Sequence, residues 1–107
     1  ITPGLGTDSL ASNASLDPLA EARALQRRFP TVAPATFIAM ATAWGADALG
    51  FAKLGRLVPD AYPGVLGFFH GAERPSEPAR FVLEQEKAER RVLVRPAYQR
   101  SFNEVFA

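Results

Sequence analysis

Cysteine is absent from the sequence, and histidine, tryptophan and methionine each occur once. Without cysteine the chain can form neither a disulfide framework nor a thiolate metal site. The single histidine, His70, has no partner ligands at suitable spacing nearby, so we expect a solvent-facing or hydrogen-bonded residue that follows a strand. The histidine and cysteine content therefore excludes a metal site built from these two residue types alone.

Long apolar runs are also missing. The sequence has no stretch of about 18 apolar residues and no charged segment followed by a short apolar one. Neither membrane insertion nor a retained secretion signal is expected, and the lack of cysteine is compatible with a reducing cytoplasm. We therefore expect a cytoplasmic protein.

Neither sign of charge dominates, because twelve Lys and Arg stand against eleven Asp and Glu and the formal net charge is +1. This balance gives no reason to expect nucleic acid as a partner. The C-terminal part does concentrate arginines, a pattern typical of a solvated face. These are Arg90, Arg91, Arg95 and Arg100.

The stretch that organises the chain lies near its start, where Gly6-Thr7-Asp8-Ser9 is followed by Ser12-Asn13 and Leu16-Asp17. The apolar residues before it predict a short buried strand over residues 1–6, weakened by its Pro and Gly, with Asp8 at the carboxyl end. A carboxylate at a strand end is typical of a functional group. The alternative is that Asp8 caps a turn or the next helix.

Two helices are predicted after this stretch. Asp17 followed by Pro18 marks a helix start, and the helix should run to about Phe29, where Pro30 ends it. Its apolar face is expected to contain Leu19, Ala22, Leu25 and Phe29, with Arg23, Gln26 and Arg27 directed elsewhere. A second, buried helix is predicted from Pro34 to about Trp44.

The pattern then changes toward short segments. Gly45 should interrupt the second helix before a helical turn from Ala46 to Leu49, and Gly50 should supply its C-cap. Trp44 and Phe51 are expected in the core. The later predictions are a turn into a strand over Lys53 to Leu57, a buried strand over Val65 to Phe69, a helix over Pro78 to Lys87 that Ser76 could cap, and a strand over Arg91 to Val94.

Three blocks of the sequence together resemble the metal-dependent amidohydrolase superfamily, in the branch of cytosine-deaminase-like, adenosine-type deaminase and chlorohydrolase enzymes. The first block is the Gly6 to Asp17 stretch, continued by Glu21 and Arg23. The second is Ala41-Thr42-Ala43-Trp44-Gly45-Ala46-Asp47-Ala48-Leu49-Gly50, and the third is Gly55-Arg56-Leu57-Val58-Pro59. All three occur in the family's order.

The resemblance implies an α/β fold, namely the last strand and following helices of a (β/α)8 TIM-type barrel that lead into strands of a small β-sandwich. Residues 1–52 would belong to the barrel, and residues 53–107 would be return strands and an extension of the β domain. A complete barrel needs about 250 residues. The 107 residues, which begin with Ile1, are therefore expected to be a C-terminal piece, with the remainder of the barrel as a partner. Asp60 and Tyr62-Pro63-Gly64 depart from the family pattern at the connection to the sandwich.

The resemblance also implies a chemistry. A divalent metal, zinc or alternatively iron, would be held mainly by histidines outside this sequence, and Asp8 would be both a metal-binding and a catalytic residue. Ser9, Ser12 and Asn13 would contact substrate, although simple turn hydrogen bonds explain these three residues equally well. Metal-activated water would attack the amine-bearing ring carbon of a small purine- or pyrimidine-like substrate, with s-triazine dechlorination as a related reaction.

Two classes of function remain open at the level of sequence. The first is this metal-dependent aminohydrolase, of which the 107 residues alone would be inactive. The second is a non-catalytic fragment that packs or binds a partner, because the sequence has no complete set of metal ligands. The apolar helix faces of a piece cut from a barrel also predict self-association into a homo-oligomer.

Overall fold

The computed structural model describes residues 2–6, 17–69, 71 and 74–95, which form a small mixed α/β structure. Four helices and two strands occur in this part of the chain. In order they are α1 Pro18–Arg28, α2 Pro34–Ala41, α3 Ala43–Ala48, β1 Val65–Phe69, α4 Pro78–Glu84 and β2 Glu89–Val94. Among these residues the strands pair in one antiparallel sheet. None of the described helices has the length and apolar character needed to cross a bilayer.

Helix α1 confirms its predicted boundaries to within a residue. Asp17 is the N-cap, and its side chain accepts a hydrogen bond from the Leu19 N–H at 3.1 Å. Pro18 occupies the first turn, where a missing N–H costs nothing. Burial does not follow the predicted faces, however, because Arg23 on the polar face is 9% exposed and Phe29 on the predicted apolar face is 50% exposed.

The second predicted helix is two helices, with the break at Thr42 rather than Gly45. Thr42 leaves helical geometry, and its Oγ1 donates to the Ile38 carbonyl oxygen at 2.7 Å. A threonine that bonds back to the preceding turn competes with the helical ladder, which accounts for the position of the break. Gly45 lies inside α3. Gly50 follows α3 with φ of +83°, in the left-handed conformation expected of a C-terminal glycine.

The core is small and joins three helices. Ala22 of α1, Phe37 of α2 and Leu83 of α4 are its buried hydrophobic residues in the described part of the chain. Partly buried side chains surround them, namely Leu5, Leu19, Leu25, Val32, Ile38 and Met40. The prediction that α2 is buried throughout is wrong, since Phe37 alone in it is buried. Trp44 and Phe51 are half-buried and not fully enclosed.

The sheet lies at the C-terminal end of the described residues. Phe69 pairs with Glu89 and Val65 with Val94, and the register shifts between Val65 and Leu66. The strand predicted over Arg91 to Val94 is confirmed, and it begins two residues before its predicted start, at Glu89. The predicted burial of β1 is wrong, because its residues are half-buried or exposed and all of β2 is exposed. Two strands alone provide no second layer to cover a face.

Two other predictions differ from the structure. Lys53 to Leu57 forms turns and bends without entering a strand. Helix α4 ends at Glu84, and its N-cap is Glu77, with no side-chain capping bond.

Residues 2–6 do not form the predicted strand. The Leu5 N–H donates to the carbonyl oxygen of Met40 at 3.0 Å, so this segment is bound to a helix rather than to a strand. A strand is stabilised by ladder bonds to a neighbour, and no described residue offers residues 2–6 such a ladder.

Candidate functional site

The four predicted site residues, Asp8, Ser9, Ser12 and Asn13, lie outside the described residues, and so does His70. The structure does describe the chain on both sides of the segment that contains these four predicted site residues. Residues 2–6 precede them and Asp17 follows them. The geometry of these two flanks therefore carries the structural information about the predicted site.

Residues 2–6, which precede Asp8, make close backbone contacts with α2 and α3. A Cβ atom added to Gly4 would lie 3.0 Å from the Cα atom of Gly45, and one added to Gly45 would lie 3.1 Å from the Met40 carbonyl oxygen. Such distances are close to the limit for carbon contacts, so backbone meets backbone here. Together with the bond from Leu5 to Met40, this contact holds the entry to the predicted site on the second sequence block.

Gly55 makes a still closer approach, to the backbone between α2 and α3. Its φ is +72°, and an added Cβ atom would lie 2.5 Å from the carbonyl oxygen of Thr42. The neighbouring Arg56 donates from Nη2 to the Ala43 carbonyl oxygen at 3.0 Å and to the carboxylate of Asp47. The third sequence block is thus fixed to the second through both backbone and side chain.

We call this cluster the glycine junction: Gly4, Gly45 and Gly55 with the backbone of Met40 and Thr42. It brings together the segment that leads into the first block and parts of the second and third blocks. At Gly55 a side chain would occupy the space of the Thr42 backbone, whereas at Gly4 and Gly45 the neighbouring backbone would have to shift by a few tenths of an ångström.

A second set of contacts, which we call the polar seam, joins α1 to residues 82–90. It consists of Arg23 to Val82, Gln26 to Glu84, Arg27 to Glu86 and Arg90 to Asp17. Arg23, Gln26 and Arg27 are spaced by three and four residues, so they lie on one face of the helix. The polar face of α1 therefore contacts residues 82–90.

Arg23 is the buried member of the polar seam. Its Nη2 donates to the Val82 carbonyl oxygen at 3.1 Å. Val82 belongs to the last turn of α4, whose carbonyl groups have no N–H partner further along the helix, so Arg23 satisfies one of them. Its Nε atom is buried and has no hydrogen-bond partner among the described residues.

Asp17 combines two roles at the other flank of the predicted site. Besides capping α1, its carboxylate accepts two hydrogen bonds from Arg90, at 3.2 Å to Oδ1 and 3.0 Å to Oδ2. The bonds from Arg90 lower the pKa of Asp17 below its ordinary value of 3.8; partial burial opposes the shift, and the Leu19 N–H and the charges of Arg90 and Arg23 add to it. Asp17 is therefore held as a carboxylate.

The described residues do not form a metal site. No three His, Cys, Asp or Glu side chains come together within residues 2–6, 17–69, 71 and 74–95. Several of the carboxylates there are bound to arginines, as Asp47 is to Arg56 and Glu86 to Arg27. Asp8, the metal ligand implied by the resemblance, lies outside this part of the chain.

Neither the polar seam nor the partners of the glycines were predicted from the sequence. A polar contact surface on α1 could have been predicted, because Arg23, Gln26 and Arg27 lie on one face of the helix, away from Leu19 and Leu25. The contacts of Gly4 and Gly55 could not have been predicted, since a glycine in a sequence does not specify which backbone approaches it.

Comparisons of the chain with models of protein families, with curated protein sequences and with solved structures gave no match.

Proposed function

We propose that this chain is the C-terminal part of a metal-dependent amidohydrolase of the deaminase or chlorohydrolase type. One observation carries the proposal. The segment leading into the first block that resembles this family, and parts of the other two blocks, meet in the glycine junction. Far-apart motifs that serve one site must lie together in space, and the contacts of Gly4 with Gly45 and of Gly55 with Thr42 support this arrangement.

In this proposal residues 2–6 lead out of the last strand of a (β/α)8 barrel, and α1 to α3 are the helices that follow. Active sites of such barrels lie at the carboxyl ends of the strands. Asp8, four positions after Gly4, would lie at that end. The later residues, with β1 and β2, would join a small β-sandwich, and the remainder of the barrel would cover the exposed surfaces of the chain.

The proposed cofactor is a divalent metal, zinc in the first instance and iron as the other option, held mainly by histidines that this sequence lacks. When bound, such a metal lowers the pKa of water from 15.7 to about 7 and so supplies hydroxide. Asp8 would accept a proton at its carboxylate. Ser9, Ser12 and Asn13 would position a purine- or pyrimidine-like substrate, in the cytoplasm.

The test is the replacement of Asp8 by Asn in the full-length protein. This change keeps the size of the side chain but removes its charge, so turnover should fall by about 10²- to 10⁴-fold, as for a lost general base. Ammonia release from a panel of amine-bearing purines and pyrimidines measures turnover, and metal analysis of each variant measures occupancy.

Ser9→Ala is the matched control, and it should cost far less turnover. If Asp8 instead caps a turn, Asn would replace it without loss, because both residues cap well. Wild-type turnover of Asp8→Asn with full metal content would therefore refute the catalytic role.

A non-catalytic packing or partner-binding role is the second candidate. The observation that favours it is the exposure of apolar side chains along β2, where Val92, Leu93 and Val94 are each more than half exposed. Larger exposed apolar patches mark interaction surfaces. A full-length protein that neither binds a divalent metal nor releases ammonia from any substrate in the panel would favour this role.

A further inference from the structure

The two-stranded sheet has little packing contact with the helices. Within the described residues β1 packs against β2 and the helices pack against one another, but no helix makes extensive contact with either strand. Every residue of β2 is exposed, whereas the buried hydrophobic residues lie in α1, α2 and α4. A two-stranded sheet without a packed layer is only marginally stable. Contacts other than packing must therefore fix the position of the sheet relative to the helices.

A forked ion pair supplies such a contact. Nη1 and Nη2 of Arg90, in β2, donate to Oδ1 and Oδ2 of Asp17 at 3.2 and 3.0 Å, and Asp17 caps α1. Across residues 2–6, 17–69, 71 and 74–95, no other hydrogen bond or ion pair joins either strand to a helix or its cap. Two parallel bonds constrain orientation as well as distance. The pair therefore sets the direction in which the sheet leaves α1.

The other contacts of the polar seam stop short of the sheet. They join α1 to residues 82–86, which belong to α4 and to the turn that follows it. Helix α4 is anchored in the core, because Leu83 is 1% exposed. The turn itself is closed by a local bond from the Ala88 N–H to the Gln85 carbonyl oxygen at 3.1 Å. The anchored part of this region thus ends where β2 begins.

The sheet turns one particular face toward α1. Phe68 is the cross-strand partner of Arg90, so the two side chains share a face, and Arg90 reaches the start of α1 from it. Phe68 is half-buried, whereas its neighbour Phe69, on the opposite face, is 45% exposed. Movement of the sheet away from α1 would expose the face that carries Phe68.

We propose that β1 and β2 move as one unit relative to the helices, with the turn from Gln85 to Ala88 as one hinge, and that the Arg90–Asp17 pair is the latch that holds them against α1. Hinges of this kind absorb a rotation in a few residues at the ends of elements. The two side chains are 37% and 33% exposed, so water and salt weaken the latch. This inference concerns the described residues and does not depend on the proposed function.

The experiment measures the distance between α1 and β2 by electron paramagnetic resonance in the full-length protein. The sequence has no cysteine, so spin labels can be attached at Ala24→Cys in α1 and Leu93→Cys in β2, both exposed positions. Any cysteine elsewhere in the protein is first replaced by serine. A second label pair, Ala24→Cys with Leu49→Cys, lies within the helical part and is the control, since Leu49 is 74% exposed at the end of α3.

Four variants test the latch. Arg90→Gln and Asp17→Asn each remove the ion pair, and asparagine still caps α1, so both should raise the ratio of open to closed molecules by about 1.4- to 5-fold. Arg90→Glu places two carboxylates together and should open the sheet further. Arg91→Gln is the matched control, because Arg91 pairs with Glu89 inside the same strand. Salt of about 1 M should open the wild type more than Arg90→Gln.

The opening should appear as a longer component in the Ala24–Leu93 distances, with the Ala24–Leu49 distances unchanged. Identical Ala24–Leu93 distances in the wild type, Arg90→Gln and Arg90→Glu would overturn the proposal. Equal broadening for both label pairs would also overturn it, because the whole structure would then have loosened. If Arg90→Glu fails to fold, Arg90→Gln and Asp17→Asn decide the matter. Ammonia release is not a readout here, so the result is separate from that of Asp8→Asn.

Discussion

The glycine junction and the polar seam both connect distant parts of the chain, but by different means. In the junction, Gly55 brings its backbone so close to Thr42 that an added Cβ atom would lie 2.5 Å from the carbonyl oxygen. In the seam, long side chains span the gap, as when Arg27 reaches Glu86 at 3.0 Å with both side chains more than half exposed. The junction excludes additional atoms, whereas the seam can exchange its partners for water.

This difference indicates how each region responds to change. A close backbone contact cannot rearrange without moving a helix, so a single added methyl group is costly there. Water and salt weaken the attraction within an exposed ion pair, so its loss lowers the stability of the fold only slightly. The buried Arg23 stands between these extremes, because it belongs to the seam but is shielded from water.

The largest effect is expected from Gly55→Ala. The left-handed backbone costs an L-residue about 1–2 kcal/mol, and overpacking against Thr42 adds about 1–3 kcal/mol. Urea denaturation should therefore show a loss of about 2–5 kcal/mol. Gly50→Ala is the matched control: its φ is +83° but nothing lies within 4 Å of the added atom, so only the backbone term applies. Equal losses in the two variants would contradict the close approach.

Arg23 should give an intermediate effect that depends on the substitution. Arg23→Ala removes the buried stem and leaves the Val82 carbonyl oxygen without its donor, at a cost of about 1–3 kcal/mol. Arg23→Met also loses the donor to Val82, but it keeps the stem and removes the buried Nε that has no described partner, so it should cost less than Arg23→Ala. The same urea measurement compares them, and a larger loss for Met than for Ala would refute the packing argument.

A smaller effect is expected from Arg90→Gln, and it should depend on pH. Because Arg90 lowers the pKa of Asp17, the pair stabilises the fold above the unfolded pKa near 3.8 and loses its contribution as the pH falls through the lower folded pKa. The variant should be about 0.2–1 kcal/mol less stable at pH 7, with the gap closing as the pH falls below the unfolded pKa near 3.8.

Denaturation curves across this pH range measure the gap. Arg27→Gln removes a more exposed cation of the same seam and should change stability by no more than about 0.5 kcal/mol at pH 7. A gap for Arg90→Gln that widens in acid would show that the pair does not hold Asp17 as a carboxylate.

Local chemistry made α1 predictable from the sequence. Asp17 and Pro18 specify its start, and Leu19, Ala22 and Leu25 give it a helical period. The strand that ends at Val94 was also predictable, because consecutive β-branched and aliphatic residues favour strands. In each case the deciding interactions lie within a few residues of one another.

The remaining features depend on partners that are distant in sequence. The burial of Arg23 requires α4, which lies about sixty positions later, and no local pattern specifies that contact. The burial predicted for β1 requires a covering layer that the described residues do not supply. The break could have fallen at either of two helix-weakening residues, Thr42 or Gly45, and the back-bond from Thr42 to the Ile38 carbonyl oxygen accounts for its position.

The contacts of the polar seam join residues that are 58 to 73 positions apart in the chain. Such contacts require the closure of large loops, so they form late in folding, after local helices. Interactions that form after the transition state slow unfolding and leave the folding rate almost unchanged. We therefore expect loss of a seam contact to speed unfolding more than it slows folding, by the small amount that a partly exposed ion pair contributes.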